Sequence, residues 1–486
     1  MDKKKQDKAF LSKSTFIRGL QCEKSLYLHK KRPFLRDRLS AEQLAKFARG
    51  HKVGVFAQDL FPGGSDLGAK SPFQMAAAIK KTAEAIQAGQ SVIYEASFQN
   101  QGVRVALDIL HRTPRGWGGV EIKSSLSISD TFLWDASLQY FVITGSGLPL
   151  TDFSIAFVNP NYVRQGPLNI QELFVIRSVL DQVVQNQQEV AEKVERFREV
   201  ASLTGSPPVG IGSHCTKPYP CDFIGHCWKN HPQSRPMRRA DSPDLPDRGA
   251  LHAFLHGVKE PALCFSTLAF APAIPMFDGT SPYQKLAFSA GWARLNGDFA
   301  GPADPAGPAD PSGSADPSGP ADPSGPADPV IIQARPGAPF PENGIREMLS
   351  QLEGAASLLV YDKAHELEVL KNLCSQDQGL LQRVDGLSDK MHDLQDLFRP
   401  WLATPWGRSL HDSPEDALSY LGADSESSPG GIAGRLQAAI LYEELSDGQS
   451  SSDEKEKGKA LSRFHEDCLK NLRKLYRVLE SDLLIK

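Results

Sequence analysis

The chain has no long uninterrupted apolar run. Its start, Met1-Asp2-Lys3-Lys4-Lys5, is basic, but no apolar core follows, so neither a secretory leader nor a membrane-spanning helix is expected. There is no strong excess of one charge either: 54 Lys and Arg stand against 58 Asp and Glu, a net of -4. That balance argues against a bulk electrostatic binder of nucleic acid, though not against a local basic groove. Cysteine is sparse, seven residues in 486. In the cytoplasmic protein that these absences suggest, cysteines are ligands or core residues rather than disulfides. A hydrophobic content of 40% is enough to build cores, and the length predicts two domains.

What is present is organised around Val103 to Lys123. Val-Arg-Val-Ala-Leu-Asp-Ile-Leu alternates as a half-buried strand does, with Val103, Val105, Leu107 and Ile109 on one face and Arg104, Ala106 and Asp108 on the other. Val120-Glu121-Ile122-Lys123 alternates too, and puts Glu121 and Lys123 opposite Val120 and Ile122. The connector Thr113-Pro-Arg-Gly-Trp-Gly-Gly119 has hairpin-loop chemistry. Pairing the strands brings Asp108 to Glu121 and Lys123, a hard-oxygen site for a divalent ion with a cation beside it. A solvated face with cross-strand ion pairs has the same pattern, and taken alone that reading comes first.

Around this hairpin the spacing predicts helices at 11–28, capped by Ser12 or Ser14, at 41–60, at 73–88 and at 129–144. Strands are expected at 91–98 and 153–158, and a long amphipathic helix at 171–200. The order α-β-β-β-α-β implies a mixed sheet with helices packed on it. In the second helix Leu44, Phe47, His51 and Val55 recur at helical spacing, which places His51 on a buried face looking toward the sheet. A buried histidine is more often a satisfied core residue than a ligand.

Residues 231–249 read as a Pro-rich charged linker and 250–486 as a second domain. Residues 301–330 interrupt that domain with five six-residue units of the type Gly-Pro-Ala-Asp-Pro-Ser. Two prolines in four of the units and one in the other forbid helix and sheet, so a disordered, partly extended insertion is expected.

Cys215, Cys221 and Cys227 are spaced C-x5-C-x5-C in a Pro/Gly/His-rich stretch, with Cys22 far upstream. Coincidence is the plain alternative, since buried cysteines are common. Three thiols need a fourth for a tetrahedral set. Zinc ribbons use close pairs, whereas one distant cysteine plus a late triplet looks like an iron–sulfur staple across a domain. Cys264, Cys374 and Cys468 fall in apolar or helical contexts and read as core.

Over about residues 9–230 these features together resemble the PD-(D/E)XK nuclease superfamily, in its RecB-like branch with an iron–sulfur cluster, which includes CRISPR-adaptation and helicase-linked exonucleases. Asp108 matches the motif aspartate, Glu121-Ile122-Lys123 the E-x-K, His51 the helical metal-ligand histidine, and Gln139 the glutamine of the following helix. Cys22, Cys215, Cys221 and Cys227 match the cluster ligands; Ile143 stands where the branch often has tyrosine. The resemblance implies a restriction-endonuclease-like mixed sheet flanked by helices over 1–230. It also implies Mg2+ or Mn2+ held by His51, Asp108 and Glu121, catalysis by Asp108, Glu121, Lys123 and Gln139, and a [4Fe-4S] cluster. The function implied is a DNA exonuclease of repair or defence, acting on single-stranded ends, with a helicase or repair partner and no membrane.

The second half is similar to a domain of unknown function often fused behind this nuclease, which looks RNase H-like and proofreading-type. Ser266 and Leu268 stand where its opening strand carries Asp and Glu, while Glu366 and Asp467 match later motifs. Two such residues hold at most one loose ion, so this domain is expected to be catalytically dead. Two other functions remain open: a nucleic-acid-binding scaffold of the same fold without turnover, and an α/β protein whose cysteines bind zinc.

Overall fold

The computed structural model describes residues 10–39, 41–229, 248–296, 329–398, 413–427, 432, 434–446 and 454–484. The chain is mixed α/β, with two mixed sheets. It divides into two compact units, Met1–Pro236 with Pro272–Tyr283, and Met237–Ala271 with Gln284–Lys486. The expected linker and the expected six-residue repeats lie outside the described residues, except for their last two positions each. Residues 248–249 already belong to a helix, and Val330 opens a strand. Among the described residues no helix is long and apolar enough to cross a membrane.

The first unit is built on seven strands: β1 (Leu11–Ser12), β2 (Ser65–Asp66), β3 (Val92–Asn100), β4 (Val103–Thr113), β5 (Gly116–Lys123), β6 (Leu150–Val158) and β7 (Phe174–Ser178). The order is β2-β3-β4-β5-β6-β7, with β1 added beside β4. β3, β4 and β5 are antiparallel, and β6 joins β5 in parallel. The β4–β5 turn is tighter than the expected connector. It closes at Thr113↔Gly116, and Trp117-Gly118-Gly119 are already strand. Trp117 lies under the Arg112 guanidinium, 4.1 Å from it, which gives the strand a partner at its very start.

The alternation of β4 resets at Asp108. Val103, Val105, Leu107 and Leu110 join one apolar cluster, whereas Ile109 joins another with Val120 and Tyr94. The expected single apolar face is therefore split, because helices cover both sides of this central strand.

The first helices of this unit are α1 (Lys13–Gln21), α2 (Glu23–Lys31), α3 (Ala41–Ala57) and α4 (Met75–Gln87). The single expected helix over 11–28 is interrupted at Cys22, which is extended at φ -165° and ψ 114°. α1 starts from a capping box in which Ser12 accepts from Thr15 N while Thr15 Oγ1 accepts from Ser12 N.

α3 ends at Ala57 and continues as a 3-10 turn through Leu60. Its buried residues are Ala45, Val53 and Ala57, while Leu44, Phe47 and Val55 are exposed, and so is His51. α3 thus turns Val53 and Ala57 inward, with Phe56 packed beside them, rather than the expected stripe Leu44, Phe47, His51 and Val55. Residues 171–200 also differ from one long helix. Ile170–Leu173 is a single turn, β7 pairs antiparallel with β6, and helices follow at Leu180–Gln185 and Gln187–Ser202. The run Phe174-Val175-Ile176, one aromatic and two β-branched residues, supplies the strand. α5 (Asp130–Gly145) and α6 (Gln187–Ser202) complete this layer.

The second unit has β8 (Ala262–Phe270), β9 (Leu286–Arg294), β10 (Val330–Gln333), β11 (Ser357–Val360) and β12 (Met391–Asp393), in the order β10-β9-β8-β11-β12. β8, β9 and β10 are antiparallel, and β11 and β12 are parallel additions. Helices α7 (Lys363–Leu373), α8 (Arg435–Ser446) and α9 (Glu454–Leu484) bear on its centre. The expected core thiols Cys264, Cys374 and Cys468 are buried.

Candidate functional site

Where β3, β4 and β5 run side by side, three carboxylates form a row. Ile109 pairs with Val120, so the next position sets Asp108 against Glu121. Tyr94↔Ile109 and Ala96↔Leu107 bracket Glu95 opposite Asp108. Asp108 Oδ2 accepts from Ile122 N at 2.6 Å, which fixes the carboxyl against the neighbouring strand. Glu121 is 2% exposed. Its Oε1 accepts from both Lys123 Nζ at 2.8 Å and Lys13 Nζ at 2.9 Å. Lys123 also donates to Asp135 Oδ2 at 2.6 Å, from one turn inside α5, and lies over the Phe132 ring.

These groups perturb one another. Burial, then Glu121, pushes the Asp108 carboxyl well above the usual carboxylate range, against the pull of Lys13 and Lys123. Burial also acts to raise Glu121, but Lys123 and Lys13 outweigh it and hold that group below the ordinary value. Burial pushes Glu95 up, with Glu121 and Asp66 adding to the rise and Lys13 and His51 opposing it. Four carboxyls, Glu95, Asp108, Glu121 and Asp135, thus face two ammonium groups, Lys13 and Lys123. With all four ionised the shortfall is two positive charges, the charge of one divalent ion; without an ion, burial favours the neutral forms of Asp108 and Glu95 instead.

The unsatisfied atoms tell the same story. Glu121 Oε2 and Asp135 Oδ1 are buried with no hydrogen-bond partner. A carboxylate oxygen left bare inside a protein is costly unless something cationic or hydrogen-bonding comes to it. Hard oxygens beside an open position suit Mg2+ or Mn2+, so the donor set fits the expected ion. Among the described residues, however, no three His, Cys, Asp or Glu side chains are already drawn together as tightly as a bound ion would hold them.

Asp108, Glu121 and Lys123 are thus brought together as expected. His51 is not buried; it is exposed on α3, near enough for its charge to act on Glu95. Gln139 is fully buried on α5, one turn beyond Asp135, and neither its Oε1 nor its Nε2 has a partner. Three residues of the cluster were not anticipated. Glu95 is the lone acid in an apolar strand, and its φ of 54° is rare for a non-glycine residue. Asp135 precedes Gln139 by four, the spacing that shares a helix face. Lys13 had no sequence signal, since only tertiary packing carries it to Glu121.

The four expected thiols face one small cavity, though not as close together as a bound ion would draw them. Cys22, Cys215, Cys221 and Cys227 line one small cavity with Gly210, His214 and Phe223. Cys22 sits at the extended break between α1 and α2, Cys215 in the 3-10 turn Ser213–Cys215, and Cys227 in the helix Ile224–Trp228. Gln21 ties this loop to α1 through Nε2, which donates to the carbonyls of His214 at 2.9 Å and Tyr219 at 2.7 Å. Burial raises the Cys22 and Cys227 thiols, and for each the other cysteines add to the rise. Four clustered thiols suit a soft metal centre, which deprotonates its ligands on binding.

In the second unit Ser266 and Leu268 are buried on β8. Glu366 is fully buried, and its Oε2 accepts from Thr267 N at 2.9 Å and Thr267 Oγ1 at 2.6 Å. Arg435 from α8 bridges the remaining groups, 3.3 Å from Glu366 Oε1 and 3.0 Å from Ser266 Oγ. From α9 His465, two positions before Asp467, reaches this pocket; its ring meets Ser289 Oγ at 2.7 Å and Ser266 O at 3.0 Å. A guanidinium thus stands against the acid that the resemblance assigned to a metal.

No family model matches the chain, and no curated protein matches it. Among solved structures, one described as "Crystal structure of SSO0001" is similar at 11% identity, over 41% of this chain and 78% of that chain. Its TM-score is 0.19, too low to carry any weight.

Proposed function

We propose that the chain is a metal-dependent nuclease of the RecB-like PD-(D/E)XK type, an exonuclease hydrolysing phosphodiester bonds of DNA, with single-stranded ends as the favoured substrate. The observation that carries this is the row Glu95–Asp108–Glu121 with Asp135 beside it, four carboxyls against two ammonium groups, and Glu121 Oε2 bare. Asp108 and Glu121 would hold Mg2+ or Mn2+, with Glu95 and His51 at its margin. When bound, the ion supplies an activated water and charge neutralisation at the phosphate. Lys123, steered by Asp135 and Glu121, orients that water and offsets negative charge in the transition state. Gln139 holds two unused hydrogen-bonding atoms close behind Asp135.

The four-thiol cavity is proposed to hold a [4Fe-4S] cluster as a staple between the start and the end of the first unit. The second unit is proposed to be an RNase H-like domain without turnover, since Arg435 occupies the side of Glu366 that a metal would need, Ser266 binds a hard cation poorly and Leu268 not at all. The test is release of labelled nucleotides from end-labelled single- and double-stranded DNA with Mn2+, by anaerobically purified protein and its Asp108→Asn variant. Cleavage confined to the unaltered protein supports the proposal; equal cleavage by both removes it.

A further inference from the structure

Lys13 is held at the site from two sides. It is the first residue of α1, behind the Ser12–Thr15 capping box. The residues before it form β1, which pairs Leu11 with Val103 and Ser12 with Arg104, at the start of the strand that carries Asp108. The helix start therefore moves with the sheet, and Nζ is delivered to Glu121 Oε1. Lys123 grips the same oxygen but has Asp135 as a second carboxylate. Among the described residues Lys13 hydrogen-bonds to Glu121 alone, with Asp135 and Asp108 acting on its charge from farther away, and its side chain is 28% exposed against 16% for Lys123. Of the two ammonium groups, Lys13 is the one that can leave.

We propose that Lys13 is a second active-site lysine: it occupies Glu121 when no divalent ion is bound, yields that oxygen to the ion, and then pairs with a phosphate oxygen of the nucleic-acid substrate. This rests on the nuclease proposal above. Once Lys13 has withdrawn, Glu121 keeps Lys123 and gains the ion, and the freed ammonium is available to the incoming phosphate. In the hydrolysis itself the water gives a proton to the medium as its oxygen bonds to phosphorus, the bond to the leaving sugar oxygen breaks, and the leaving oxygen takes a proton from the medium. Lys13 keeps its own protons throughout and acts by charge.

A purely structural ion pair makes the opposite prediction for metal binding, because losing it would loosen Glu121 and weaken the ion's hold. Full-length protein, Lys13→Ala, Lys13→Met, which keeps the apolar stem, and Asp108→Ala are titrated with Mn2+ while free Mn2+ is read by electron paramagnetic resonance. Melting in chelator checks that each variant folds, and either Lys13 variant decides the question. Removal of the competing cation is expected to tighten Mn2+ binding about tenfold, the scale of one charge-assisted contact. Cleavage of single-stranded DNA at saturating Mn2+ is expected to fall roughly a hundredfold. Mn2+ affinity unchanged or weakened, or cleavage unimpaired, overturns the role of Lys13 alone. Mn2+ bound no better by the unaltered protein than by Asp108→Ala overturns the nuclease proposal, and this inference with it.

Discussion

Glu95 takes a left-handed backbone conformation inside a strand, at φ 54°, where a side chain costs on the order of 1–2 kcal/mol. Glycine relieves that strain but loses more entropy on folding, by roughly 0.5–1 kcal/mol. Glu95→Gly is therefore expected to hold or raise the melting temperature while weakening Mn2+ binding several-fold, both read from thermal shifts with and without the ion. A lower melting temperature with unchanged Mn2+ binding would mark Glu95 as structural. Lys123 is an ammonium and not a ligand, so Lys123→Ala should lose turnover by roughly a hundredfold or more while still binding Mn2+, measured by titration beside the cleavage rate. Asp108, Glu121 and Lys123 were legible in the sequence because strand alternation is local. Lys13 and Glu95 were not, because one depends on a pairing 108 positions away and the other on a break in regular strand geometry.

At the scale of elements, α1 packs closely on α6. A Cβ on Gly19 would lie 2.8 Å from the Phe197 ring, which also meets Phe16 edge-on at 5.3 Å between centroids. Gly19→Ala is expected to cost about 1–3 kcal/mol by overpacking, read from denaturant unfolding. The same helix anchors the thiol loop through Gln21, whose loss in Gln21→Ala should speed release of the bound metal centre, followed by its absorbance under chelator. Hydrophobic spacing located α3 but reversed its face. Leu44, Phe47 and Val55 look like a core stripe, yet the sheet accepts Ala45, Val53 and Ala57. Periodicity reports an amphipathic helix without saying which side a flat sheet admits, and it cannot see that Phe174-Val175-Ile176 finds an open strand edge at β6.

For the molecule as a whole, two mixed α/β units follow from length and pattern, but the fate of the second one's acid does not. Glu366 is pushed up to about 7 by burial, against the pull of Arg435 and Thr267. A carboxyl raised in the folded state binds a proton that the unfolded chain has released. Its contribution to stability is therefore full below the ordinary value of 4.5 and is lost as pH climbs toward about 7. Glu366→Gln should flatten the pH dependence of unfolding across that window. If the second unit is inert, the same variant leaves cleavage intact and all chemistry resides in the first unit. The most direct measurement of that claim is Mn2+-dependent cleavage of end-labelled single-stranded DNA by the full-length protein and Glu121→Gln, which keeps the shape of the side chain and removes its charge. Loss of cleavage by at least about a thousandfold, with the fold and the thiol-bound centre retained, is the predicted result; cleavage undiminished in Glu121→Gln would contradict it.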